Sequence, residues 1–94
     1  MEARQFRITG RVQGVGFRFF VERVAREIGV NGWVRNCQDG AVEVLAECSL
    51  KKMEQLRAAL LQGPPGSRVE QVSEQTTARS ISRRGFSIEA TRLA

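Results

Sequence analysis

The spacing of the apolar residues changes within the first 30 positions, from every second residue to helical spacing. In RQFRITGRV, residues 4–12, Phe6 and Ile8 alternate with polar neighbours, which is typical of a strand with one buried face. From Phe17 to Ile28 the apolar residues recur at helical spacing, and Gly29 follows at the usual C-terminal position. The pattern therefore predicts a first strand, a short glycine-bearing loop and an amphipathic first helix.

The rest of the chain contains a predicted hairpin, a second helix and two further strands. The strands of the hairpin, at 31–37 and 41–47, flank a turn that contains Asp39-Gly40. Ser49 stands at the N-cap position of the second helix, and the stretch GPPG at 63–66 ends it. The remaining segments are a weaker strand at 68–75, a polar connection from Thr76 to Gly85, and a short last strand with Phe86, Ile88 and Ala90 at period two.

The order strand-helix-strand-strand-helix-strand predicts an α+β protein with a ferredoxin-like α/β sandwich. Both helices are expected on one face of an antiparallel sheet, with a short extra strand at the C-terminus. We expect one domain over residues 1–94. In this topology strands 1 and 2 run parallel with strand 3 between them, so the loop after strand 1 lies about 10 Å from the end of strand 2. The loop at 13–18 and Asn36 are therefore predicted to share one edge.

Composition limits which partners, cellular locations and metal or disulfide sites the sequence suggests. Fifteen Lys and Arg against ten Asp and Glu give a net charge of +5, which favours anionic partners without saying which. We find no signal-peptide pattern and no apolar run of the roughly 20 residues that span a membrane, so we expect a soluble, cytoplasmic protein. No long exposed apolar surface is evident in the pattern, so we expect a monomer. Cys37 and Cys48 fall too far apart along the predicted hairpin for a disulfide, and without any histidine they are poor zinc ligands.

The loop VQGVG, followed at once by Phe17 and Arg18, is the first candidate site. Gly14 and Gly16 permit positive φ and close approach, so that backbone N–H groups can converge on one oxyanion at the start of the first helix. A cation in the first helical turn opposes the helix dipole, and a bound phosphate would reverse that cost. The alternative is a tight turn with a solvated arginine. No Gly-Lys-Ser/Thr follows, so this is not a Walker A loop.

Two stretches of the chain resemble the signatures of the acylphosphatases. The first is ITGRVQGVGFR at 8–18 and the second is GWVRNCQDGAV at 32–42, and the similarity spans nearly the whole chain. The resemblance implies a ferredoxin-like fold and the hydrolysis of acyl phosphates without a metal or a cofactor. It also implies that Arg18 binds the phosphoryl group and that Asn36 orients the attacking water. The backbone amides of the loop would bind the same group, at Gln13, Gly14, Val15, Gly16 and Phe17.

The sequence departs from the family pattern at two places. Cys48 stands where the family usually has glycine, and the chain continues through Arg92 where an aromatic residue is common. We expect Phe17 and Trp33 to be packing residues and Arg35 to be a solvated surface charge. Asn36 has an ordinary alternative, in which it satisfies the backbone of the neighbouring turn. The chemistry agrees with a chain that lacks histidine, because a carboxylate leaves without needing a proton.

Two other functions compete with hydrolysis of a small-molecule acyl phosphate. One is a non-catalytic acylphosphatase-like domain that binds phosphate or carbamoyl phosphate. The other is an RNA-binding module of the same element order, which RRGFSI at 83–88 faintly resembles. The chain has one tryptophan and no tyrosine, a composition that argues against a platform for stacking bases. We therefore expect neither a nucleic acid nor a membrane as a partner.

Overall fold

The elements follow the predicted order. The computed structural model of the chain describes residues 1–78 and 84–93, so the predicted connection from Thr76 to Gly85 lies partly outside the described residues, as does Ala94. The strands and helices are β1 (Glu2–Arg11), α1 (Phe17–Ile28), β2 (Asn31–Asn36), β3 (Val42–Cys48), α2 (Leu50–Gln62), β4 (Arg68–Thr76) and β5 (Phe86–Ile88).

The sheet confirms the predicted topology and changes one detail of it. The strand order is β4-β1-β3-β2-β5, and β3 is antiparallel to both β1 and β2, which therefore run parallel. The last strand pairs with β2 in parallel. The sheet is therefore mixed, whereas we expected an antiparallel sheet. The reason is the place where the chain enters β5: β4 ends beside Arg4 near the start of β1, and β5 begins beside Gly32 near the start of β2. Both points lie at one end of the sheet, and β5 then follows the direction of β2.

The core lies between the helices and one face of the sheet. Alternate residues of β1 and β3 point into it, as the hydrophobic pattern predicts, and they meet the apolar stripes of both helices. None of the described helices is long and apolar enough to span a membrane. The fully buried side chains of this core include Phe6, Ile8, Val21, Val42, Val44, Met53, Leu56 and Leu60.

The ends of the helices agree with the expected signals. Gly29 follows α1 with φ 91°, and its N–H donates to the carbonyl of Ala25 at 2.9 Å. Ser49 caps α2, where its hydroxyl accepts a hydrogen bond from the Lys52 N–H at 3.4 Å. The start of α1 differs, because Gly16 at its N-cap has no side chain to satisfy the free N–H groups of the first turn. The fold thus places an uncapped helix start directly after β1.

Gly10 belongs to the first signature, and the fold itself requires a glycine at this position. The pairing of β1 with β4 shifts register between Thr9 and Gly10, and Gly10 has φ 121°. A Cβ at this position would lie 2.1 Å from the carbonyl oxygen of Arg68. Only glycine fits this close approach, which lets the last residues of β1 stay paired with β4 across the register shift.

Candidate functional site

The glycine loop, residues 13–17, exposes both of its glycines to solvent, whereas Phe17 is buried. Gly14 has φ 72° and Gly16 has φ 77°, so both adopt the left-handed conformation that the sequence predicts. A Cβ built on either glycine meets nothing within 4 Å, which means that open space and not a neighbouring element faces them. The backbone of this loop is therefore accessible to a ligand at the point where the amides of α1 begin.

A pocket of about 160 Å³ opens between the glycine loop and the end of β2. Topology predicted that these two segments share an edge, and they do. Of the predicted residues only Val15 is not among those that line the pocket, since its side chain packs against the core. Two residues that the sequence did not suggest, Val12 and Phe19, also line it. The predicted site residues that line the pocket are Gln13, Gly14, Gly16, Phe17, Arg18 and Asn36.

Arg18 lies half-buried in the first turn of α1. Its side chain makes no hydrogen bond and no ion pair with any residue in 1–78 or 84–93, and the first turn of the helix carries no acidic residue. A cation in this place opposes the helix dipole, typically by about 0.3–1 kcal/mol. The guanidinium is thus unpaired within the described part of the chain, beside a helix start that favours negative charge.

Asn36 is the last residue of β2, and its side-chain oxygen Oδ1 has no hydrogen-bond partner among the described residues although it is buried. In the alternative interpretation, the Asn36 side chain would satisfy the backbone of the neighbouring turn, but other residues make those contacts. There the side chain of Asp39 accepts from the Ala41 N–H at 3.1 Å, and the Gly40 N–H donates to the Cys37 carbonyl at 3.1 Å. A buried acceptor without a partner costs about 1–3 kcal/mol. A donor that binds to this oxygen would recover that cost.

The side chain of Gln13 joins the two halves of the site. Its Nε2 donates hydrogen bonds to the carbonyl oxygens of Cys37 and Ala41, both at 2.8 Å. Sequence reasoning assigned Gln13 only a backbone role, because the partners of its side chain depend on how β1 and the β2–β3 turn meet. The predicted shared edge was the one signal for this contact.

The C-terminal segment passes along the end of β2. The Arg92 N–H donates to the carbonyl of Asn36 at 2.9 Å, and the Arg92 carbonyl accepts from the Gln38 N–H at 3.0 Å. The guanidinium of Arg92 also contacts Glu43 at 3.2 Å. The residues that continue the chain where the family often has an aromatic residue therefore hold the strand end that carries Asn36.

The expectation for Arg35 was wrong. It is not a solvated charge: its guanidinium pairs with Glu43 at 3.0 Å and lies 4.2 Å from the centre of the Trp33 ring. Glu43 itself is 4% exposed and accepts from Arg35 and Arg92 together. Strand alternation located Arg35 away from Asn36 correctly, but on that face of the sheet Arg35 belongs to a charge network and its side chain is only 25% exposed.

The two cysteines are free, as expected, and both are buried. Burial raises the pKa of the Cys37 thiol, with a further contribution from Glu43, and burial also raises the pKa of Cys48. Both thiols are therefore poor nucleophiles at neutral pH. Within residues 1–78 and 84–93, no three side chains of His, Cys, Asp or Glu are grouped so as to hold a metal ion.

Comparisons with known proteins give one consistent family. The family model described as acylphosphatase matches residues 4–88. An acylphosphatase of Koribacter versatilis is 48% identical over 90 residues, which are 96% of this chain and 82% of that protein. The crystal structure of an acylphosphatase from Bacillus subtilis superposes with a TM-score of 0.90 at 37% identity, over 95% of this chain and 99% of that one. A structure of full-length HypF in a phosphate- and nucleotide-bound form matches 98% of this chain but only 12% of its own, with a TM-score of 0.80 and 30% identity.

Proposed function

The chain belongs to the acylphosphatase family, and from this premise we propose that it hydrolyses acyl phosphates to a carboxylate and inorganic phosphate in the pocket beside the glycine loop. One observation carries the proposal: Arg18, the glycine loop and Asn36 line the same pocket. A fixed cation, backbone donors and a neutral amide are the groups that positioning and charge stabilisation in phosphoryl transfer require.

The phosphoryl group binds between the Arg18 guanidinium and the backbone amides of the glycine loop. Arg18 has no competing carboxylate among the described residues, so binding a phosphoryl oxygen breaks no existing ion pair. The planar guanidinium can donate to two oxygens of the group at once. The negative charge of the ligand also offsets the unfavourable position of Arg18 at the helix start.

Asn36 places the attacking water. Its Oδ1 is an acceptor that lacks a partner in the described chain, and an oriented water has a proton to donate to it. Oδ1 is hidden from solvent, so the proposal includes a rotation of the amide that presents this oxygen to the pocket. The hydrogen bond from Arg92 to the Asn36 carbonyl at 2.9 Å holds the backbone while the side chain turns.

The hydrolytic step needs no general acid. The water oxygen forms a bond to phosphorus while the bond from phosphorus to the acyl oxygen breaks, and its electron pair leaves with the carboxylate. The conjugate acid of that leaving group has a pKa of about 4, so it departs unprotonated at neutral pH. An amide is too weak a base to take the proton of water, which passes to a phosphoryl oxygen of the substrate. Arg18 and the loop amides supply the positive charge, and we propose that no metal or cofactor takes part.

Release of inorganic phosphate from acetyl phosphate tests the proposal. We expect the purified protein to hydrolyse acetyl phosphate at the same rate with and without EDTA. Under the same conditions it leaves p-nitrophenyl phosphate, a phosphate ester of a phenol, intact. Failure to hydrolyse acetyl phosphate would overturn the function, whereas loss of activity only in EDTA would overturn the metal-free mechanism.

Phosphate or carbamoyl-phosphate binding without turnover is the second candidate. The similarity to a small part of HypF in its phosphate- and nucleotide-bound form favours it. The presence of Asn36 beside Arg18 favours turnover, because binding alone has no use for an oriented water. Calorimetry with inorganic phosphate and the hydrolysis assay together separate the two: binding with no hydrolysis supports the second candidate.

The RNA-binding alternative loses its main sequence feature. Phe86 is 3% exposed, so it offers no face on which a base can stack, and Arg83 lies outside the described residues. The Trp33 ring is covered by the guanidinium of Arg35. The expectations of a monomer, of a cytoplasmic location and of one domain over residues 1–94 stay predictions.

A further inference from the structure

Phe19 stands apart from the other aromatic side chains of the described chain. Its side chain is 67% exposed, whereas Phe6, Phe17 and Phe86 are buried. The remaining phenylalanine, Phe20, packs against the core cluster. Phe19 lies outside the apolar stripe of α1, and nothing in the packing of the fold accounts for an aromatic residue at this position.

The neighbours of Phe19 on the helix surface leave its ring uncovered. Residues three and four positions further along α1 are Glu22 and Arg23, which could in principle lie over it. Glu22 instead pairs with Arg26 at 3.1 Å, and the Arg23 guanidinium lies 5.8 Å from the centre of the Phe20 ring. The ring of Phe19 is thus available for contact with a ligand.

Phe19 also lines the pocket that contains Arg18 and Asn36. We propose that Phe19 determines substrate specificity: its ring contacts the acyl group and favours aromatic over small acyl phosphates. This inference rests on the proposed function, because it concerns the same pocket and the same reaction. The side chain of Phe19 takes no part in the phosphoryl chemistry, since the ring offers no hydrogen-bonding group.

The division of the pocket into polar and apolar parts supports this assignment. The glycine loop, Arg18 and Asn36 supply the donors and acceptors that suit a phosphoryl group and a water. The acyl group is joined to phosphorus through a single oxygen, so it must lie within a few ångströms of these residues. Phe19 follows Arg18 directly and presents an exposed apolar surface there. Contact between two aromatic rings improves binding roughly 2- to 12-fold beyond simple burial, whereas an acetyl group offers only one methyl.

The test compares benzoyl phosphate with acetyl phosphate as substrates of the wild type, Phe19→Ala and Phe19→Leu. Leu61→Ala is the matched control, because Leu61 is a similarly exposed apolar residue of α2, 55% exposed and absent from the pocket. We expect Phe19→Ala to lower the preference for benzoyl phosphate, measured as the ratio of the two kcat/KM values, roughly 2- to 12-fold. Phe19→Leu should lower it less, and Leu61→Ala should leave it unchanged. The inhibition constant of inorganic phosphate, which has no acyl group, should stay within about twofold in all variants.

Each contrary outcome has a distinct meaning. An equal loss on both substrates, or no change on either, would overturn the role of Phe19 while leaving the hydrolase assignment intact. A wild type that hydrolyses neither substrate would overturn the proposed function and this inference together. Thermal unfolding of each variant accompanies the kinetics, and Phe19→Leu carries the comparison if Phe19→Ala does not fold.

Discussion

The side-chain nitrogen of Gln13 lies 2.8 Å from the backbone carbonyl oxygen of Cys37 and donates a hydrogen bond to it. The same nitrogen donates to the carbonyl of Ala41 at 2.8 Å, on the other arm of the β2–β3 turn. Because Cys37 directly follows Asn36, one side chain fixes the distance between the glycine loop and the strand end that carries the amide. The site is thus held together by a contact that makes no use of the substrate.

Replacing Gln13 with alanine is expected to loosen the site and to weaken the fold. Two hydrogen bonds of roughly 0.5–1.5 kcal/mol each are lost, so we expect a loss of about 1–3 kcal/mol in the free energy of unfolding. A displaced loop should also lower kcat/KM for acetyl phosphate by at least about tenfold. Urea denaturation and steady-state kinetics measure the two effects. Gln55→Ala, an exposed glutamine of α2, is the control, and an equal effect there would contradict the role of Gln13.

Arg18→Ala should separate stability from activity. Removing a cation from the helix start, where it has no partner among the described residues, should raise the free energy of unfolding by about 0.3–1 kcal/mol at low ionic strength. The same change should lower kcat by roughly 10²–10³-fold, because a charge that stabilises the transition state is lost. Denaturation in low salt and phosphate-release assays check both parts. Arg23→Ala, on the same helix but outside the pocket, should retain turnover. A stable Arg18→Ala variant with the turnover of the wild type would show that Arg18 does not stabilise the transition state.

Hydrophobic periodicity was sufficient to predict the framework of the site. Alternation in β1, the helical spacing from Phe17 and the hairpin signal at Asp39-Gly40 are local, so the sequence states them directly. The right-handed crossovers then brought Asn36 to the glycine loop without any knowledge of side-chain contacts. The direction of β5 was not predictable in this way, because it depends on which end of the sheet the chain crosses after Thr76.

Side-chain contacts between distant segments could not be predicted from the sequence. The pairing of Arg35 with Glu43, and of Glu43 with Arg92, follows from the register of β2 with β3 and from the path of the C-terminal segment. Periodicity shows only which face a residue is on, so paired charges and solvated charges on the outer face of the sheet produce the same pattern. The side-chain role of Gln13 was hidden for the same reason.

Glu43→Gln tests this charge network. The substitution keeps the shape of the side chain but leaves Arg35 and Arg92 without their buried counter-charge. We expect the free energy of unfolding to fall by about 1–3 kcal/mol, which chemical denaturation measures. Glu54→Gln, at an exposed position of α2, should have little effect. Equal stability of Glu43→Gln and the wild type would mean that the network contributes nothing to the fold.

A second ion pair predicts a pH dependence of stability. The Arg57 guanidinium, and after it that of Arg4, lowers the pKa of Glu74 despite its partial burial. Arg57 and Arg4 contact the Glu74 carboxylate at 2.9 and 2.8 Å. Because the folded-state pKa lies below the unfolded one, this stabilisation is complete above the unfolded value of about 4.5 and is lost as the pH falls through the folded value.

Glu74→Gln should therefore be less stable than the wild type at pH 7 and approach it as the pH falls below about 4. Thermal unfolding across this pH range provides the measurement. Glu27→Gln, an exposed residue of α1, should run parallel to the wild type at every pH. A difference between Glu74→Gln and the wild type that stays constant down to pH 2 would show that the carboxylate charge is not the cause.

The assignment of Asn36 as the residue that places water is the centre of the mechanism, and Asn36→Ala tests it most directly. The kcat for acetyl phosphate and the dissociation constant of inorganic phosphate are measured on the same preparation. If Asn36 orients the attacking water while Arg18 and the glycine loop bind the phosphoryl group, kcat falls roughly 10²–10³-fold and phosphate affinity changes by less than about threefold. Turnover close to that of the wild type in Asn36→Ala would contradict the account.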